Sequence, residues 1–264
     1  MTRWSPTRRT LGWGLVLVLL AGPMAAEAEG RTESWAVVAE AKPSNADARK
    51  REPQPTASTN APSQGAVYRP PRRGNARTRI GGGTRSLSKT PHVQVLAPDH
   101  VGLTTRAQPR LGWFLSAATD QRIDFTLTRP DAIDPILETT LPAPTKAGVQ
   151  FVSLQDLGIA LEPGAPYEWS IAVVVDPEER DQDVFASGAI ERDAATAALT
   201  ADVAEMASHR AFALHGFWYD AIADLSRSID EADSSALSLE RAALLEQVDL
   251  AEVARFERAR IAAR

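Results

Sequence analysis

The run from Tyr68 to Arg85 reads YRPPRRGNARTRIGGGTR and carries six arginines, among them Arg72, Arg73, Arg77, Arg79 and Arg85, beside three successive glycines. Arginines next to a glycine run are the residue types that grip a phosphate. A phosphate cradle needs backbone N–H groups at a helix N-terminus and a Lys-Ser/Thr pair after the last glycine. Here Gly83 is followed by Thr84 and Arg85, and no helical period follows. The run therefore predicts an extended arm. Pro70-Pro71 favours a polyproline conformation. The arginines are expected to face solvent or the acidic body of the chain, and they are the candidate contacts to a ligand or partner. Tyr68, Ile80 and the glycine backbone are expected to do the anchoring.

Other side chains with chemistry form no catalytic constellation. His92, His100, His209 and His215 stand alone, without an HExxH or other close ligand spacing. His209 and His215, six apart on a helix, point to nearly opposite sides. Asp176, Glu178, Glu179, Asp181 and Asp183 could offer hard oxygens to calcium, but Pro177 and Arg180 interrupt them and the glycine turn of a ligand loop is missing. They predict a solvated loop. There is no G-x-S-x-G elbow and no cysteine nucleophile. Trp113, Tyr167, Trp169, Trp218 and Tyr219 could stack on a sugar, but each lies on an apolar strand face or helix stripe, where core packing is the expectation. No catalytic residue, cofactor or metal ligand is assigned.

The elements that would position these residues begin after an export signal. Arg3, Arg8 and Arg9 precede the short apolar run Leu11–Ala21, and Ala26-Glu27-Ala28 is a small-x-small cleavage pattern. The run is well short of the ~20 residues that span a bilayer. Residues 1–28 are thus expected to be a signal peptide, with the Sec and twin-arginine routes both open. The expected location is periplasmic or extracellular, with membrane contact only through the uncleaved signal. With no cysteine, an exported chain has no disulfide and must fold by core burial. Residues 29–65, rich in Ala, Pro, Ser and Thr, have no sustained apolar period and read as a disordered linker.

Charge is divided along the chain. Residues 66–89 hold seven Lys/Arg and no acid, whereas residues 90–190 hold six Lys/Arg against 14 Asp/Glu, and residues 191–264 hold eight Arg against 14 Asp/Glu. A nucleic-acid protein spreads basic charge over its folded face. This chain does the reverse, so nucleic acid is not an expected partner.

From His92 the period becomes two. HVQVLAP, WFLSA, RIDFTLT, ILETTL, VQFVSL, YEWSIAVVV and VFASGAIER alternate or run apolar, and Asp, Gly and Pro punctuate them. Seven short strands at this spacing predict an antiparallel β-sandwich over 66–192, with the basic arm at its N-terminus. The segment Leu161-Glu162-Pro163-Gly164-Ala165-Pro166-Tyr167-Glu168-Trp169 resembles the tyrosine corner of immunoglobulin and fibronectin type III sandwiches, in which the tyrosine hydroxyl bonds back to its own turn. After Arg192 the period is helical. Leu199, Val203 and Met206 form one stripe, Trp218 to Ile229 a second, and Leu237 to Val248 a third. Gly216 and the Tyr219-Asp220 pair resemble the turn that opens the second helix of a tetratricopeptide-type hairpin. About one and a half repeats are too few to stand alone, so residues 193–264 are expected to form a small helical cap packed on the sandwich.

Taken together, the Tyr-x-Pro-Pro-x-Arg-Gly start, the Asp176-Pro177-x-x-Arg180-x-x-Asp183 run with Gly188, Ile190 and Arg192, and the Trp218-Tyr219-Asp220-Ala221 helix resemble an exported bacterial family known as domain of unknown function 928. The resemblance covers about Tyr68 to Leu250. It implies a signal peptide, a β-rich domain and C-terminal helices, and it brings no catalytic residue. The expected function is a non-enzymatic protein-interaction module whose partner is another cell-envelope protein. The alternatives are a binder of anionic or carbohydrate envelope ligands and an enzyme of unrecognised type.

Overall fold

The computed structural model of the chain describes residues 65–71, 79–81, 91–144 and 146–263. The export signal, the linker except Gly65, and Arg72, Arg73, Arg77 and Arg85 lie outside the described residues. The described chain is mainly β, with two sheets followed by five helices. The strands are β1 (Ile80–Gly81), β2 (Val93–Val95), β3 (Gly102–Thr104), β4 (Arg110–Leu115), β5 (Ile123–Thr128), β6 (Leu137–Leu141), β7 (Gly148–Ser153), β8 (Pro166–Val173) and β9 (Val184–Arg192). The helices are α1 (Ala197–Glu205), α2 (Ser208–Leu214), α3 (Trp218–Ala232), α4 (Ser235–Glu246) and α5 (Ala251–Ala262).

One sheet runs β1-β9-β8-β5-β6, with β3 also paired to β9; the other runs β2-β4-β7. All seven runs expected as strands carry one. The antiparallel expectation needs one correction, because β3 pairs with β9 in parallel, Gly102 opposite Ile190. Two strands were not expected. β1 has only two residues, and β3 is buried at all three positions. A strand buried on both faces loses the alternation that marks a half-buried one.

Alternation sets the core. In β8, Tyr167, Trp169, Ile171 and Val173 are buried and the residues between them are not. These side chains share one apolar core with Val93, Val95, Leu111, Trp113 and Leu115 of the smaller sheet and with Trp218, Tyr219, Ile222, Leu225, Leu244, Leu245 and Val253 of the helices. The layers come close at Gly188, where a Cβ would stand 2.6 Å from that of Ala97. No larger residue fits there without moving backbone.

Polar atoms of the aromatics tie helix to sheet. Trp218 Nε1 donates to the Leu96 carbonyl (2.7 Å), and Trp169 Nε1 donates to the Tyr219 hydroxyl (3.0 Å), which donates onward to the Ala189 carbonyl (2.9 Å). Burial holds the Tyr219 phenol above its ordinary pKa, so it stays a donor. Gly216 turns the chain between α2 and α3 at φ +82°. The stripe on α1 is a correction. Leu199 is buried, but Val203 and Met206 are more than a third exposed.

Candidate functional site

The described part of the basic arm is held as an extended strap by side chains that bond its backbone. Ala66 N–H donates to Glu240 Oε1 and Tyr68 N–H to Gln247 Oε1, both at 2.8 Å; Gln247 Nε2 returns a bond to the Ala66 carbonyl at 2.9 Å. Arg69 N–H donates to the Ala213 carbonyl (3.0 Å). The amide of Gln247 thus reads both edges of one residue pair, as a neighbouring strand would. Tyr68 fills a buried slot, stacked on His100 and edge-on to Trp218. Its hydroxyl meets His100 Nε2 at 2.9 Å, and His100 Nδ1 meets Asp99 at 3.3 Å. Burial, with Tyr219 and Asp99 adding to it, raises the Tyr68 pKa, so the phenol remains protonated. The Tyr-His-Asp order matches a nucleophile relay in outline. With a phenol that holds its proton, it serves as a buried latch.

Among the arginines singled out in the sequence, Arg79 is described. Its guanidinium donates to the carbonyls of Ala97 (3.0 Å) and Val248 (2.7 Å). It therefore staples the smaller sheet's edge to the α4–α5 connection. Burial lowers its pKa while Asp99 and Asp249 oppose the shift. Ile80, an expected anchor, is instead 54% exposed. Anchoring comes from Tyr68, from the strap backbone and from Arg79.

The acidic run does not gather into a ligand cage. Asp183 accepts from Val175 N–H (3.3 Å) and from Arg180 Nε (2.6 Å), and Arg180 reaches on to Asp124 (3.2 Å). Asp124 is buried between Arg122, Arg180 and Thr140. Burial alone would raise its pKa, but those bonds and charges bring it below the ordinary value. The four histidines stay apart, at Glu252 (His92), Asp99 (His100), Glu240 (His209) and Asp202 (His215). Among the described residues, no three His, Asp or Glu side chains come together as a metal site. The five aromatics considered for sugar stacking are all buried in the core.

A polar knot under α3 was not foreseen. Asp220 accepts from Thr104 Oγ1 (2.8 Å) and from the Thr105 N–H and hydroxyl (both 2.7 Å), with Arg106 Nε at 3.3 Å. Arg106 also bonds Asp224 at 2.8 Å. Burial raises the Asp220 pKa, and the donors oppose it. The only signal in the sequence is the polar run Thr104-Thr105-Arg106 and the two acids that interrupt the apolar face of α3. Nothing in the spacing pairs them across more than a hundred residues.

A crevice opens where the two sheets end. β6 ends one sheet and β7 ends the other. Between them lies a crevice of about 340 Å³, lined by Trp113, Leu141, Pro142, Ala143, Pro144, Gln150 and Phe151. No lining residue is charged. Trp113 is 2% exposed, and its indole nitrogen is buried with no hydrogen-bond partner in the chain. Leaving such a donor unpaired costs about 1–3 kcal/mol, and an unpaired buried group calls for a reason. The sequence reading placed Trp113 in the core, where it is, but could not see that its polar atom would be stranded.

A family model described as Domain of Unknown Function (DUF928) matches residues 76–257. The chain belongs to this family. The match spans the β strands and all five helices except the end of α5, so the knot, the relay's His100 and the crevice are parts of the DUF928 fold, while Tyr68 and the strap precede the matched region. A search of curated proteins found no match for this DUF928 chain. No helix among its described residues is long and apolar enough to cross a membrane.

Proposed function

We propose that this DUF928 protein is an exported, non-enzymatic protein-interaction module of the bacterial cell envelope, which engages another envelope protein. One observation carries the reading: the uncharged crevice at the open side of the two sheets, with the terminal strand β7 forming one wall. Sites at sheet edges take extended protein segments, because main-chain groups and side-chain pockets can be read together. The export layout of residues 1–28 supports the location. An immunoglobulin-like arrangement of the sheets and a tetratricopeptide-like arrangement of α2 to α5 belong to the same proposal, since both architectures are common carriers of interaction surfaces; that support is analogy at the level of fold.

A photo-crosslinking amino acid at Gln150, with a control at exposed Glu231 on α3, tests the reading in the native envelope. The expected result is one defined adduct from position 150, identified by mass spectrometry and rebound by the purified chain. Adducts that are absent, or the same from both positions, would overturn it. A glycan or anionic lipid adduct at position 150 would favour a ligand-binding role instead.

A further inference from the structure

The strap at residues 65–71 lies on the folded body as a bound peptide lies in its groove. Ala66 and Tyr68 are buried, whereas Val67 is 50% exposed and Arg69 and Pro70 face solvent. The segment thus presents alternate side chains inward, as an extended ligand does. The body reads its main chain through Glu240 at the Ala66 N–H, through both ends of the Gln247 amide at Ala66 and Tyr68, and through the Ala213 carbonyl at the Arg69 N–H. His100 meets the Tyr68 hydroxyl. Further along, the wall is bare backbone: a Cβ on Gly216 would stand 2.8 Å from the Arg69 carbonyl oxygen and 3.4 Å from the Pro71 ring. We infer that these residues form a peptide site for an extended Ala-x-Tyr-x-Pro-Pro segment, filled in cis by the chain's own strap, and that it also takes the strap of a second copy of the chain.

The groove keeps its polar groups paired when the strap leaves. Glu240 accepts from Arg210 Nε (2.7 Å) and Nη2 (2.9 Å), and Gln247 Nε2 also donates to the Ala243 carbonyl (3.2 Å). The Ala213 carbonyl also accepts from Gly216 N–H (3.1 Å), His100 Nδ1 meets Asp99 (3.3 Å), and Trp218 Nε1 stays on the Leu96 carbonyl. A core segment that leaves strands its buried partners, and each stranded group costs free energy. The strap strands none of these, so it can undock locally without unfolding what it rests on. The receiving residues His100, Ala213, Gly216, Glu240 and Gln247 all lie within the matched region 76–257, and the strap lies before it. Tyr-x-Pro-Pro occurs once in the sequence, at Tyr68–Pro71, so every copy carries one segment of this pattern and one groove. Exchange between copies replaces each bond by an identical one, which is why an exchanged element joins protomers at low cost. Within one copy the tethered strap competes at an effective concentration on the order of millimolar. Exchange is therefore read where one copy's groove is closed and the other's strap is spoiled.

Two variants of the full chain make that pair. Gly216→Ala keeps the strap and closes the groove; Tyr68→Ala keeps the groove and spoils the strap. Both should stay folded by circular dichroism, and exposed Gln247→Ala is the closing variant if the Gly216 turn, at φ +82°, does not take alanine. An equal mixture should give a 1:1 complex by light scattering that neither variant forms alone. The synthetic peptide Gly-Ala-Val-Tyr-Arg-Pro-Pro, residues 65–71, should dissolve that complex and bind Tyr68→Ala saturably. It should bind wild type roughly tenfold more weakly, because the tethered strap competes. The same peptide with alanine in place of tyrosine should bind Tyr68→Ala roughly tenfold more weakly. No saturable binding of the peptide overturns the site. Peptide binding without a mixed complex overturns the exchange between copies and gives the groove to a segment of another protein. A mixed complex that the peptide leaves intact puts the contact elsewhere and overturns it as well. Adducts from position 150 do not enter these outcomes, so the interaction reading above stands or falls separately.

Discussion

Tyr167 shows how much one polar atom can do in an apolar layer. Its ring is buried on β8, and its hydroxyl accepts from the Glu162 N–H at 3.0 Å, closing the turn that feeds the strand. Tyr167→Phe removes this one bond and little volume, so it should lower stability by about 0.5–1.5 kcal/mol. A urea midpoint that falls with an unchanged slope would show this; an unchanged midpoint would mean the bond holds nothing. Asp220 should matter more. Asp220→Ala strands Thr104 Oγ1, Thr105 Oγ1 and the Thr105 N–H, and each buried donor left unpaired costs on the order of 1–3 kcal/mol. The same denaturation measurement should place this variant clearly below Tyr167→Phe. If it does not, the threonines find water and the knot is not a buried joint.

At the scale of elements, the strap gives a pH test. Burial would raise the Glu240 pKa, but hydrogen bonds and charge from His209 and Arg210 outweigh it and bring the group from its ordinary 4.5 down to about 2. A depressed folded pKa means the carboxylate stabilises the fold above pH 4.5, and that contribution drains away as pH falls from 4.5 toward 2. Glu240→Gln should therefore be less stable than wild type at pH 6. The two should converge as pH approaches 2, read as thermal midpoints across that range. A constant gap would assign the loss to packing instead. In the basic run, Arg79→Gln gives up two bonds to carbonyls and should lower the midpoint. Legibility in the sequence stops at this kind of distinction. Strands β2 and β4 to β9 and the helix opened by Trp218 were visible because alternation and helical period are local. β3 was not, because a strand buried on both faces has no alternation to read. The role of Arg79 was hidden, since one arginine among several in a basic run carries no mark of the carbonyls, 18 and 169 residues away, that it meets. The crevice was hidden too, because it exists only where the ends of two sheets meet.

For the molecule as a whole, the question is whether sheets and helices fold as one unit. The helices bury their largest side chains against the sheets. Trp218 and Tyr219 have no exposed surface, and their polar atoms are paired with Leu96, Trp169 and Ala189. Phe256 of α5 lies edge-on to Phe114 of β4, ring centroids 5.0 Å apart. Taken alone, residues 193–264 would expose these rings and leave the indole and phenol to water, which removes most of the apolar gain that could offset the entropy of ordering the helices. The described chain should then melt in one transition. Its calorimetric enthalpy should be roughly 130 kcal/mol for the 182 described residues near 60 °C, with a van't Hoff enthalpy close to that value. A fragment of residues 193–264 should lack a cooperative melt and show little of the helix content it has in the whole chain. Two separated transitions, or a fragment that melts cooperatively on its own, would show that the shared core couples the layers weakly and that the helices are an independent module carried by the sheets.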